Sequence, residues 1–168
     1  MKKRILVCGA SGFIGRNLFE CFSQKPDFDV YGTYFRNERL NKDKPHSKLW
    51  RIDFRDRHSV QKLTEGFDCI INASAMTGGS IAVKKDPVGY ITDNVLINNN
   101  LIEAAHINKI ERFIFLSSSI IYPPHNNNPV QEDDVNPLNI HPDYECWAEL
   151  KLFFEKMCQF CARIGDTH

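Results

Sequence analysis

A chain of 168 residues has the length of one domain, and 42% hydrophobic with 25% charged residues is the balance of a chain that folds around an apolar core. Twenty-one Lys and Arg oppose twenty-one Asp and Glu, so the formal charge is zero and the electrostatic footprint of a nucleic-acid binder is missing. Intrinsic disorder is excluded by the same composition.

The elements alternate from the start. Arg4–Cys8 is a short apolar run that ends in glycine, as a buried strand does. The run stops after four apolar residues, too few for a secretory leader, and no stretch approaches the ~18 apolar residues of a membrane span. Ile14, Leu18, Cys21 and Phe22 then predict a helix over Phe13–Gln24. Strands follow at Phe28–Phe35 and Leu49–Asp53, separated by the polar segment Asn37–Ser47. Val60, Leu63 and Phe67 predict a second helix before a strand at Cys69–Ala73. A long amphipathic helix spans 91–107, a fifth strand spans Arg112–Leu116, and Pro123–Pro142 reads as an irregular loop. The last helix is predicted over 144–163. Five strands alternating with helices call for an α/β fold, a Rossmann-type doubly wound parallel sheet over 1–168 as one domain.

The six cysteines lie mostly inside apolar segments and predict free thiols in a reducing, cytoplasmic compartment. Cys158 and Cys161 are the one close pair, and no neighbouring ligands complete a metal site, so no metal is expected. His125 and His141 sit among Pro and Asn with no ligand spacing and read as solvated loop residues.

Chemistry enters at Gly9-Ala10-Ser11-Gly12-Phe13-Ile14-Gly15, where the first strand becomes the first helix. Gly9 permits a tight turn, Gly12 lets the backbone approach a pyrophosphate, and Gly15 lets the helix pack closely. The N–H groups that open the helix then face the phosphates. About 20 residues further on, an NAD site places a carboxylate against the ribose 2′-hydroxyl. Here the second strand ends Thr33-Tyr34-Phe35-Arg36, with Glu38 and Arg39 behind it. A guanidinium suits a 2′-phosphate, so NADP(H) is favoured over NAD(H); the alternative for Arg36 is a solvated loop cation. Asp53 is placed to accept from an adenine amino group, the alternative being that Asp56 alone matters, as a helix cap.

These residues resemble the extended short-chain dehydrogenase/reductases, which include nucleotide-sugar epimerases, dehydratases and reductases, and within them most nearly the GDP-L-fucose synthases. The resemblance rests on the glycine loop, on Asn72-Ala73-Ser74-Ala75 with Gly78-Gly79, on Asn94, on Leu116 to Pro123, and on Lys151-Leu152 with Glu155 and Cys158. Together the motif and the resemblance place cofactor contacts at Gly9, Ser11, Gly12, Phe13, Ile14, Gly15, Arg36, Asp53, Phe54, Asn72, Ala73, Ser74 and Lys151. Asn94 has two readings, a ligand contact or a staple of the long helix.

The resemblance implies a Ser, Tyr and Lys catalytic set, with the tyrosine as general acid/base and the lysine lowering its pKa. It assigns Ser118 and Lys151. Four residues before Lys151, where the family has tyrosine, stands Trp147, whose indole N–H only donates and does not titrate near neutral pH. Tyr144 is the alternative phenol, about a turn away. Ile120 occupies the place of a cysteine that serves epimerisation in the GDP-L-fucose synthases. The chain is expected to lack the sixth strand and the C-terminal substrate lobe.

The resulting expectation is an NADP-binding domain with impaired catalysis. Two alternatives stand beside it, a working nucleotide-sugar reductase/epimerase that uses Tyr144 and an interaction module without cofactor. A nucleotide sugar is the substrate that the family implies. A homodimer through helices 91–107 and 144–163 is expected from Trp147, Phe153, Phe154 and Phe160, unless all four pack inward.

Overall fold

The computed structural model describes residues 1–36, 48–77, 85–124 and 129–168. Glu38, Arg39, Gly78, Gly79 and His125 lie outside the described residues. Five strands, β1 (Lys3–Cys8), β2 (Phe28–Tyr34), β3 (Leu49–Arg51), β4 (Cys69–Asn72) and β5 (Arg112–Phe115), form one sheet in the order β3-β2-β1-β4-β5. Every pairing is parallel. The helices are α1 (Phe13–Ser23), α2 (Arg57–Thr64), α3 (Pro87–Ile107) and α4 (Glu145–Ile164).

The apolar run of β1 is continuous because both of its faces are covered. Ile5 and Val7 join Val30 and Ile71 under Leu18, Phe19 and Phe22 of α1. Leu6 and Cys8 face the other way and pack with Ile70, Val60 of α2, and Ile97, Leu101 and Ala104 of α3. Each large side chain taken fully out of water contributes roughly 1.5–3 kcal/mol. The chain winds outward from β1 in both directions, so a crevice opens at the carboxyl ends of β1 and β4, where strand order reverses.

Several boundaries differ from the sequence reading, each for a local reason. α3 begins at Pro87, four residues before the expected start, because Asp86 caps it by accepting from the Gly89 N–H at 3.0 Å and Pro87 fits the first helical position. α2 runs over 57–64, earlier than its apolar pattern suggests. The Asp56 carboxylate caps it on the N–H groups of His58 and Ser59, and Gly66, at φ +73°, turns the chain so that Phe67 reaches the core from beyond the helix. β3 ends at Arg51, not Asp53, because residues 53–56 fold into a turn closed by the Asp56 N–H on the Asp53 carbonyl. The expected loop 123–142 holds short 3-10 turns at Glu132–Asp134 and from Pro142.

On the far side of β5, Ile121, Ala148 and Leu152 make a smaller core that joins α4 to the segment after the strand. Phe154 is buried, whereas Phe153 and Phe160 stand about half exposed, so the aromatic surplus of this helix is divided between core and surface. The main chain of His168 donates to Glu111 and accepts from Phe113 on the outer edge of β5. All six cysteines are free thiols. Among the described residues no helix is long and apolar enough to cross a membrane.

Candidate functional site

A groove of about 670 Å³ lies along the carboxyl edge of the sheet. It gathers most of the expected cofactor residues: Gly9, Ser11, Gly12, Phe13, Ile14, Arg36, Asp53, Phe54, Ala73 and Ser74. Gly15, Asn72 and Lys151 are not in its lining, and each acts differently.

Two glycines are required by the backbone. Gly9 has φ +76°, and a Cβ there would lie 2.8 Å from Cα of Ser74 on the neighbouring strand end. A Cβ on Gly15 would overlap the Gly9 carbonyl, so this position lets the first turn of α1 sit directly on the loop. Thr33, fully buried, fixes the loop from β2: its hydroxyl accepts from the Gly9 N–H at 3.1 Å and its carbonyl from the Ala10 N–H at 2.7 Å. Gly12 is the N-cap of α1 and offers no side-chain cap, and Phe13 and Ile14 are exposed at the groove, so the opening N–H groups of the helix have no side-chain acceptor. Unpartnered N–H groups at the start of a helix are the donors that anion sites use.

The opposite end of the groove is built from charge. Arg36 is exposed, with its guanidinium carbon 5.1 Å from the centre of the Phe35 ring. Asp53 lines the groove while Arg55 holds it from behind, through Nε at 2.9 Å and Nη2 at 2.6 Å. The Arg55 guanidinium keeps the Asp53 carboxyl below the usual carboxylate range, against the opposing effect of burial. Asp56 caps α2, and Asp53 lines the groove.

Asn72 supports the groove from beneath. Its Nδ2 donates to Asn98 of α3 at 2.8 Å, and its Oδ1 accepts from the N–H and hydroxyl of Ser74. Asn94 is a staple: it exchanges hydrogen bonds with the main chain of Met76 at 3.0 and 2.9 Å. Asn100 donates to the carbonyls of Phe54 and Arg55. Asn98 and Asn100, together with Thr33 and Arg55, support the groove and were given no role in the sequence reading. The available signal was polar residues at 94, 98 and 100 on the buried face of an otherwise apolar helix.

The catalytic candidates sit at the end of β5. Ser118 is half-buried and its hydroxyl accepts from the Ile120 N–H at 3.4 Å. It lines a second cavity of about 750 Å³ with Ser117, Ser119, Tyr122 and Glu155. Lys151 reaches back under the strand, donating to the Leu116 carbonyl at 2.8 Å with its ammonium 4.7 Å from the Phe115 ring centre. Burial pushes its pKa below the usual lysine value, and Glu155 only partly offsets this. Trp147 is half-buried on the preceding turn of α4. Tyr144 is half exposed and its ring packs on His141, 5.6 Å between centres. Among the described residues no hydrogen bond joins Ser118, Tyr144 and Lys151. His141 is exposed and accepts from the Asp143 N–H. No group of three metal-ligating side chains forms among the described residues.

The profile of the NAD dependent epimerase/dehydratase family matches residues 5–167. The chain belongs to this family. Among curated relatives it is 28% identical over 177 residues to GDP-mannose 3,5-epimerase of Arabidopsis thaliana, covering 98% of this chain and 46% of that protein. It is likewise 28% identical over 158 residues to GDP-L-fucose synthase of Escherichia coli strain K12, covering 94% of this chain and 46% of the relative. Among solved structures it resembles UDP-glucose 4-epimerase of Thermus thermophilus in complex with NAD, with a TM-score of 0.75 and 24% identity over 95% of this chain and 51% of that one. The chain therefore spans about half the length of the relatives it matches.

Proposed function

We propose that this chain is an NADP(H)-binding domain of the GDP-L-fucose synthase-like kind whose catalytic step is impaired. The residues present fit a dinucleotide: the open N–H groups of α1 suit the pyrophosphate, Asp53 an adenine amino group, and Arg36 a 2′-phosphate. No carboxylate stands at the end of β2, where a 2′-hydroxyl partner belongs, and this favours NADP(H) over NAD(H). When bound, the nicotinamide supplies or accepts hydride; the chain must supply the proton.

One observation carries the reading of impairment: the side chain one turn before Lys151 is an indole. A general acid/base needs a group that gives a proton and recovers it, within hydrogen-bond reach of the reacting oxygen. Trp147 only donates. The neighbouring phenol of Tyr144 packs on His141. Lys151 remains able to orient a ribose, and Ser118 a substrate oxygen.

The names of the relatives favour a GDP-linked sugar as the ligand class. The half-exposed Phe153 and Phe160 on α4, with Leu96 and Ile107 exposed on α3, support a homodimer through these two helices. Six free thiols and zero net charge fit a cytoplasmic protein without a nucleic-acid partner.

The test mixes the chain with NADPH and a 4-keto-6-deoxy GDP-sugar. NADPH fluorescence is expected to report binding, while NADPH absorbance stays constant beyond the buffer control. Enzyme-dependent NADPH oxidation would refute impairment, and absence of NADPH binding would refute the cofactor assignment.

A further inference from the structure

Arg55, just behind the groove, is the cation with the most carboxylate hydrogen bonds among the described residues, and no motif pointed to it. Its Nε and Nη2 grip Asp53 in a forked pair, while Nη1 lies 3.1 and 3.2 Å from the two oxygens of Asp93 on α3. The Arg55 N–H also donates to Asp53 Oδ1 at 3.0 Å. All three side-chain nitrogens are thus held by carboxylates, which leaves the 2′-phosphate to Arg36. The turn is fastened to α3 a second time, since Asn100 donates to the carbonyls of Phe54 and Arg55. The Arg55 guanidinium carbon lies 5.3 Å from the centre of the Phe35 ring, which Arg36 also approaches, so the aromatic wall of the groove is held by the same residue.

We propose that Arg55, anchored by Asp93, is a positioning residue that aims the Asp53 carboxylate at the adenine amino group and so sets the base selectivity of the groove. The proposal rests on the cofactor reading given above and adds a determinant to it. The physical reason is geometric. A free aspartate at a turn samples several rotamers, and an acceptor that wanders discriminates poorly between a base that donates and one that does not. A forked Arg–carboxylate pair fixes both the plane and the direction of the acceptor. In the observed arrangement Asp53 Oδ1 takes Arg55 Nε and the Arg55 N–H, while Oδ2 takes Nη2 at 2.6 Å and shares Nε at 3.2 Å, so both oxygens are fixed in direction with the carboxylate edge at the groove left for the base. Anchoring by Asp93 ties that direction to α3, the helix that also carries Asn94 and Asn98 beneath the site.

The test compares NADP⁺ with nicotinamide hypoxanthine dinucleotide phosphate, in which a carbonyl replaces the amino group, by calorimetric titration of the full chain. The unaltered protein is expected to prefer NADP⁺ by about tenfold or more, from the loss of one hydrogen bond to a charged acceptor. Asp53→Ala removes the preference. Arg55→Ala lowers it to about threefold or less, while the preference of NADP⁺ over NAD⁺, set by Arg36, is retained. Asp93→Asn, which still offers an acceptor to Arg55, keeps most of the base preference, and Asp93→Ala lowers it, by no more than Arg55→Ala does. A folded Arg55→Ala protein with the full base preference would overturn the proposal. Should that variant fail to fold, an undiminished preference in Asp93→Ala overturns it equally. A protein that binds neither cofactor overturns the cofactor reading itself, and one that binds NADP⁺ and its hypoxanthine analogue alike overturns the role of Asp53 and of Arg55 with it.

Discussion

The two ends of the sheet's carboxyl edge are finished to different degrees. Around the β1–α1 loop the backbone is held on every side: Gly9 by Thr33, Gly15 by the loop itself, and the tip of β4 by Asn72 and Ser74. Beside the end of β5, Lys151 of α4 spends its ammonium on the Leu116 carbonyl and the Phe115 ring, and the residue four positions before it carries an indole. In the function proposed above, binding and catalysis separate along one edge of one sheet. There, phosphate and base recognition would use main-chain N–H groups and charges fixed by the fold, whereas proton transfer would depend on one side chain of one chemical type. On the proposed reading, a single replacement removes the second and leaves the first intact.

The contrast can be broken first at the loop. Gly15→Ala forces a Cβ into the Gly9 carbonyl, and neither partner has a flexible end that can yield. It is expected to cost about 3 kcal/mol of stability, the upper part of the range for overpacking, and to abolish NADPH binding. Urea unfolding gives the first quantity. Ser117→Ala, just past the end of β5, is expected to cost about 0.5 kcal/mol or less. Equal losses would erase the distinction between the two ends.

Arg36→Ala is expected to weaken NADPH by about one to two orders of magnitude, the value of a charge-assisted hydrogen bond to a phosphate, and to change NADH binding by less than about twofold. Equal losses for both cofactors in fluorescence titrations would remove Arg36 from the 2′-phosphate.

The smallest expected effect sharpens the catalytic end. Trp147→Tyr places a phenol one turn from Lys151, and the ammonium there favours the phenolate, so the new group should titrate below the usual value of about 10 in ultraviolet difference spectra. Adding Lys151→Met should return it to the usual value. Lys151 itself has a folded-state pKa below its unfolded one, so its charged form is disfavoured by folding. Its contribution to stability therefore rises with pH from the lowered value up to about 10.5. A normal phenol in the single variant would show that position 147 does not face Lys151.

Much of this was readable in the chain. The strands at Arg4–Cys8 and Cys69–Ala73 were legible because a strand covered on both faces needs an unbroken apolar run, and the glycine loop because few other motifs require that spacing between a strand and a helix. The start of α3 was misplaced because apolar periodicity marks the buried face and not the cap, although Asp86-Pro87 carried the cap signal. Asn94, left with two readings, is a staple, since an amide in a helix takes its role from whatever loop passes over it.

The order of residues alone determined the alternation of strands and helices, the family, and the indole four positions before Lys151, because these are local or periodic properties of a polymer. Only the folded chain decided that Arg55 is shared by Asp53 and Asp93, that Thr33 holds the glycine loop, and that Phe153 turns outward while Phe154 turns in. Those facts depend on which distant segments share a few ångströms of space, and no spacing along a chain encodes that by itself.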